Sequence, residues 1–189
     1  MSRIIAGDAG SIRLKPAASV TRPTSDRVKE SVFAQLEAMG AIELTRVLDL
    51  FAGTGALGLE ALSRGAKSAV LVERDKKAGE ITKLNIAAVM PAIEPGRPEV
   101  KVELKQLDAE KYLQNCSDSF DLVFLDPPYD FAQDKLNALI ERVSDLLNDD
   151  ALVVVERSSK SDALKTPNWA ELVSEKSYGD TRVSIIKKS

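Results

Sequence analysis

The stretch Val47-Leu48-Asp49-Leu50-Phe51-Ala52-Gly53-Thr54-Gly55-Ala56-Leu57-Gly58 decides the fold. Val47–Phe51 is an apolar-leaning run interrupted by Asp49, the pattern of a buried strand. Gly53, Gly55 and Gly58 satisfy G-x-G-x-x-G, and a helix over Ala56–Arg64 follows until Gly65 stops it. Glycines in this place let the chain turn tightly and let an anionic group approach the helix N-terminus. Glu73 ends the next strand, about 20 residues on, where a carboxylate accepts from both ribose hydroxyls. Together these features predict a nucleoside-containing cofactor at the C-terminal edge of a parallel sheet. Glycines that serve helix–strand packing alone are the plainer alternative.

Outward from this stretch, strands alternate with helices. Ser68–Val72, Val100–Lys105, Phe120–Leu125 and Ala151–Val155 read as strands. Asp75–Val89, Ala109–Leu113 and Leu136–Leu147 read as helices, with a Pro/Gly loop at Met90–Pro98. Trp169–Lys176 and Thr181–Lys187 form an antiparallel hairpin around Tyr178-Gly179-Asp180. Upstream, Arg3–Ala6 and Ser11–Leu14 read as a small hairpin, and Thr24 or Ser25 caps a helix running from Asp26 to Gly40. The order predicts an α/β fold with a mostly parallel sheet covered on both faces.

Composition narrows the chemistry. The 189 residues fit one domain, with 44% hydrophobic and 29% charged residues. There is no histidine and a single cysteine, Cys116. A Ser/His/Asp or Cys/His triad, a His-containing or multi-Cys zinc site, an internal disulfide and a C-x-x-C pair are all excluded. No signal peptide or membrane span is visible, so a cytoplasmic protein without a metal is expected. The net charge of −3 hides an asymmetry: residues 1–30 hold six basic and three acidic side chains, and the rest carries the acidic excess. Such a basic arm suits an anionic partner, or it serves only solubility.

Three further carboxylates stand at strand ends. Asp49 follows buried positions and costs desolvation unless it is paired. A pyrophosphate at this turn would be repelled by it, whereas the ammonium and sulfonium of S-adenosylmethionine would be attracted; the alternative is a cap on the turn's own amides. Asp108, after the third strand, suits an adenine amino group or caps the helix that begins at Ala109. Asp126-Pro127-Pro128-Tyr129 is the most specific signal in the chain. Ionised Asp126 only accepts, neither proline has an N–H, and Tyr129 offers a stacking face worth about 1–3 kcal/mol per base. An acceptor-only, rigid, stacking site suits a planar group bearing an NH2.

Asp-Pro-Pro-Tyr after the fourth strand resembles the amino-methyltransferase motif of S-adenosylmethionine-dependent enzymes. Arg3-Ile4-Ile5-Ala6-Gly7, the segment Arg22-Pro23-Thr24-Ser25-Asp26-Arg27-Val28-Lys29-Glu30-Ser31-Val32-Phe33, and Asp49-Leu50-Phe51-Ala52-Gly53-Thr54-Gly55 narrow the resemblance to the RsmD-like methyltransferases. It runs through essentially the whole chain, most specifically in the first two thirds. It implies a Rossmann-like class I methyltransferase fold with a seven-stranded, mostly parallel sheet, an antiparallel C-terminal hairpin and a small N-terminal hairpin and helix. An RNA-contacting extension over residues 1–40 and a catalytic domain over 41–189 are implied with it. So is methylation of guanine N2 in 16S ribosomal RNA, as free RNA or within the small subunit, by a monomer. Residue by residue, the resemblance assigns cofactor binding to Asp49, Phe51, Ala52, Gly53, Thr54, Gly55, Gly58, Glu73, Arg74, Asp108 and Ala109. Catalysis falls to Asp126, Pro127, Pro128 and Tyr129. The basic residues Arg3, Arg13, Lys15, Arg22, Arg27 and Lys29 are expected to meet RNA phosphates, with a solvated helix face as the plainer reading of Arg27 and Lys29. Rival readings are an adenine-N6 methyltransferase, a glutamine-amide methyltransferase, an NAD-dependent dehydrogenase and a non-catalytic RNA-binding module. The dehydrogenase leaves Asp-Pro-Pro-Tyr unexplained.

Overall fold

The computed structural model describes residues 2–16 and 25–189. In chain order the elements are α1 (Asp26–Ala38), β1 (Arg46–Asp49), α2 (Ala56–Ser63), β2 (Ser68–Val72), α3 (Lys76–Ile93), β3 (Lys101–Lys105), α4 (Ala109–Asn115), β4 (Phe120–Leu125), α5 (Gln133–Val143), β5 (Leu147–Ser158), β6 (Ala170–Tyr178) and β7 (Thr181–Lys188). One sheet of seven strands has the order β3-β2-β1-β4-β5-β7-β6. β1 to β5 pair in parallel, and β7 runs antiparallel to both β5 and β6. This is the Rossmann-like sheet with an antiparallel hairpin that the sequence predicts. The strand order reverses between β1 and β4, so a crevice opens at their C-terminal ends, the usual ligand position in open α/β sheets.

Side-chain alternation splits the core into two clusters. Val47, Leu122, Phe124, Leu152 and Val154 pack on one face beneath α1, α2 and α3, joined by Ile185 of β7. Leu48, Val123, Leu125, Val153 and Val155 pack on the other beneath α4 and α5. The N-terminal segment belongs to the first cluster, since Ile4, Ala9, Leu14, Val28 and Phe33 share it. It has no separate core.

Four boundaries differ most from the sequence reading. Residues 3–14 make one isolated bridge, Arg3 to Arg13, instead of two strands. Donors that a longer ladder would use go to α2: the Ile5 and Ala6 amides donate to the Glu60 carboxylate, and the Ala9 amide donates to Ser63 Oγ. Helix α3 continues through Met90 and Pro91 to Ile93, because Val89, Met90 and Ile93 are buried while Pro91 lies on the solvent side near the helix end. Helix α5 stops at Val143, where a single 3-10 turn over Ser144–Leu146 intervenes. β5 then starts at Leu147, ahead of the expected Ala151, through a register shift opposite β4 with Asp150 at φ 62°.

Candidate active site

The glycine turn joins β1 to α2, and each glycine is required for its own reason. Gly53 and Gly55 have φ of 55° and 80°, where an L side chain is strained. A Cβ on Gly58 would instead collide with the Leu71 side chain of β2, so this glycine allows close helix–strand packing. Gly55 is the N-cap of α2 and provides no side-chain cap. Helix α3 holds the turn from outside: Thr82 Oγ1 donates to the Gly53 carbonyl at 2.7 Å, and Asn85 Nδ2 donates to the Thr54 carbonyl at 2.9 Å. Asn85 also accepts from the Lys15 amide at 2.7 Å and so ties the N-terminal segment to the turn. Thr82 and Asn85, i and i+3 on one helix, escaped the sequence reading; their shared face toward the turn is the signal that could have found them.

Asp49 sits at the end of β1, fully buried. Its Oδ2 accepts from the Gly58 amide at 3.2 Å, and its Oδ1 has no hydrogen-bond partner among the described residues. Burial pushes its pKa up from 3.8 to about 7; the Gly58 amide pulls back, the Asp126 charge adds to the rise, and the Phe51 amide and Glu73 charge act in opposite directions more weakly. Glu73 is turned inward over the glycine loop, Oε2 accepting from the Gly53 amide at 2.8 Å and Oε1 from the Asp75 amide at 2.7 Å. Each oxygen keeps acceptor capacity for a hydroxyl. Asp108 caps α4 through the Glu110 amide at 2.9 Å, the cap reading of that residue, and stands half-buried at the same sheet edge as Glu73. Ala52 and Ala109 are buried, Phe51 and Thr54 are half-buried, and Arg74 is exposed. Three carboxylates, Asp49, Glu73 and Asp126, therefore converge on one crevice. The buried Asp49 oxygen without a partner fits a cationic ammonium, and the fixed Glu73 fits a ribose.

The Asp126–Tyr129 loop leaves the adjacent strand β4. Its register is set by β1, which pairs Asp49 with Phe124. Pro127 is buried, Pro128 half-buried and Tyr129 47% exposed, leaving the ring available for stacking. The Tyr129 hydroxyl lies 3.4 Å from Thr181 Oγ1 of β7. Behind the loop, the Phe131 amide donates to the Pro128 carbonyl, and Arg157 Nη2 donates to the Phe131 carbonyl, both at 2.9 Å. Phe131 meets Phe51 edge-on at 5.3 Å between ring centroids, linking the two loops across the crevice.

Of the basic residues, Arg3, Arg13, Lys15 and Arg27 are exposed, and Arg22 lies outside the described residues, as does Thr24. Ser25 is the N-cap of α1. Lys29 corrects the expectation. Its side chain is fully buried, 3.8 Å from Glu60 and 3.9 Å from Asp26, and it donates to the Arg3 carbonyl and to Ser2 Oγ. An ammonium held there cannot reach a phosphate. The helical spacing of Lys29 with Val32, Phe33 and Leu36 puts it on the buried stripe, and Glu60, equally buried, supplies the counter-charge. Glu60 was not anticipated. It also binds Arg64 Nε at 2.7 Å, and Arg64 bonds Glu37 at 2.9 Å. This network clamps the N-terminal segment and α1 onto the helix that follows the glycine turn.

The family described as Conserved hypothetical protein 95 matches residues 2–187. Ribosomal RNA small subunit methyltransferase D of Haemophilus influenzae is 39% identical over 160 residues, 84% of this chain and 78% of that protein. The Escherichia coli protein of the same name is 34% identical over 172 residues, 89% and 81% of the two chains. A solved Escherichia coli structure, yhhF, provisionally described as a methyltransferase, has a TM-score of 0.81 at 32% identity and covers 100% of this chain and 98% of that one. With the glycine turn, its acids and the Asp-Pro-Pro-Tyr loop in one crevice, the chain belongs to this family, which the ribosomal RNA small subunit methyltransferase D proteins represent.

Proposed function

We propose that the protein transfers a methyl group from S-adenosylmethionine to the exocyclic N2 of a guanine in 16S ribosomal RNA. The observation that carries this reading is the adjacency of two acceptor sites: the cofactor-type acids Asp49 and Glu73 on β1 and β2, and Asp126 at the end of the neighbouring β4. S-adenosylmethionine, when bound, supplies a methyl group already activated by a positive sulfonium, so no histidine or metal is needed. Asp49 would take the ammonium, Glu73 the ribose hydroxyls, and Asp108 the adenine amine.

Asp126 and the Pro127 carbonyl would accept the two N–H groups of guanine N2. That draws the nitrogen lone pair out of conjugation and aims it at the crevice. Catalysis is then mostly positioning and electrostatic preorganisation. The nitrogen's proton becomes acidic only after transfer, so no strong base is needed. Tyr129 would stack on a base splayed from its RNA context. The exposed Arg3, Arg13, Lys15 and Arg27, with Arg22, supply phosphate contacts along the N-terminal side. The names of the relatives support small-subunit ribosomal RNA as the substrate class. The test is methyl transfer to small subunits lacking the modification and to free RNA, followed by mass-spectrometric identification of the product nucleoside. N2-methylguanosine is the expected product; N6-methyladenosine would overturn the reading.

A further inference from the structure

A second carboxylate stands beside Asp126 and is not used above. The β4–β5 ladder pairs Leu125 with Val155, so Asp126 and Glu156 follow in register at the C-terminal ends of neighbouring parallel strands. Adjacent strands lie about 4.8 Å apart. Phe124 and Val154 point into the cluster beneath α1 and α2, and the two-residue alternation sends Asp126 and Glu156 to that same side. Both line one small pocket with Lys29 and Val32 of α1 and Leu57 of α2. Glu156 is only 7% exposed. The strand order β2-β1-β4-β5 places the cofactor acids on one side of Asp126 and Glu156 on the other, the side left for the acceptor base.

Guanine is the base whose edge presents adjacent donors, N1–H next to the N2 amine. Adenine and cytosine place a ring-nitrogen lone pair next to their amines. Two carboxylates side by side accept from the guanine edge and repel the others. We propose that Glu156 accepts the N1–H of the target guanine and thereby sets the enzyme's preference for guanine, while Asp126 holds the N2 amine. This rests on the guanine-N2 reading above and names the group that enforces it.

The test uses small-subunit particles in which the methylated nucleotide, mapped with the wild-type protein, is guanine or 2-aminopurine. 2-Aminopurine keeps the N2 amine but lacks O6 and has a lone pair in place of N1–H, so the change of the ratio in Glu156→Gln isolates the N1 contact. The wild type is expected to prefer guanine by about 100-fold in kcat/KM, the upper worth of a hydrogen bond to a charged group. Glu156→Gln, whose amide can donate to that lone pair, should narrow the ratio at least about tenfold while S-adenosylmethionine affinity stays within about twofold. Glu156→Asp should keep the sign of the preference. Equal use of both bases by the wild type, or a ratio unchanged in Glu156→Gln, overturns the proposal and leaves the N2 reading standing. Absence of N2-methylguanosine in the wild-type product overturns that reading and the proposal with it.

Discussion

Asp49 shows how one side chain can hold a prediction about both stability and binding. Burial raises its pKa from 3.8 to about 7. Between these values the folded protein keeps a proton that the unfolded chain has lost, so this group's contribution to stability falls as pH rises through that window. Binding of a cationic group favours the ionised form and has the opposite sign. Affinity for S-adenosylmethionine should climb by up to about tenfold per pH unit towards pH 7 and level off above it. Calorimetric titration from pH 5 to 8 checks this, and a flat profile would exclude Asp49 as the partner of the ammonium. Asp49→Asn should flatten the curve and weaken binding at pH 8 by about 10- to 100-fold, the worth of a hydrogen bond to a charged group. Asp126→Ala makes the contrasting case. Methyl transfer should be lost while cofactor affinity is nearly intact; normal turnover by this variant would remove Asp126 from the mechanism. Asp49 and Asp126 were both legible from their place at strand ends. Lys29 was not, because a charge in an arm rich in cations looks solvated until its helical phase is set against the buried Glu60.

Elements carry the next level of prediction, above all α2 and what is fastened to it. A Cβ at position 58 collides with Leu71 Cδ2, so Gly58→Ala forces the Leu71 side chain into another rotamer or α2 away from β2. A loss of about 1–3 kcal/mol, the usual cost of overpacking, is expected in urea unfolding, together with weaker cofactor binding. The Glu60 carboxylate satisfies the Ile5 and Ala6 amides and Arg64 while facing Lys29. Glu60→Ala leaves the buried Lys29 ammonium without its nearest counter-charge and the Ile5 and Ala6 amides without their acceptor, and a loss of about 3–5 kcal/mol is expected. Lys29→Met should cost less in a Glu60→Gln background than in the wild type, because the ammonium is then already without its counter-charge. Additive losses in that cycle would show that the two residues do not interact. None of this network follows from periodicity alone: Glu60 and Lys29 are 31 positions apart in the chain, and only the packing of α1 onto α2 brings them together.

Across the whole molecule, the N-terminal segment is both part of the core and the basic face. Ile4, Ala9 and Leu14 are buried with the sheet, and Asn85 ties Lys15 to the glycine turn. Deleting this segment would therefore lower stability and cofactor binding along with RNA binding. Charge reversal at exposed positions isolates the RNA term. Arg13→Glu and Lys15→Glu should each leave the melting temperature nearly unchanged and reduce the salt slope of RNA binding by about one. An unchanged slope would place the RNA elsewhere. The basic excess of residues 1–30 is thus visible in charge, while the core runs through that segment and the rest without a break.

The sequence by itself determined the class of fold, the glycine turn between β1 and α2, the Asp-Pro-Pro-Tyr loop after β4 and the antiparallel hairpin. These are local signals: glycines at a strand–helix turn, carboxylates at strand ends, and prolines that remove donors. Only the tertiary structure decided the exchange of an N-terminal ladder for bonds to Glu60 and Ser63, the burial of Lys29, the run of α3 past Pro91, and the placing of Asp126 and Glu156 on one pocket. Each depends on which distant groups meet. Buried hydrogen bonds and charges are settled by their partners, and a chain pattern names the groups without naming the partners.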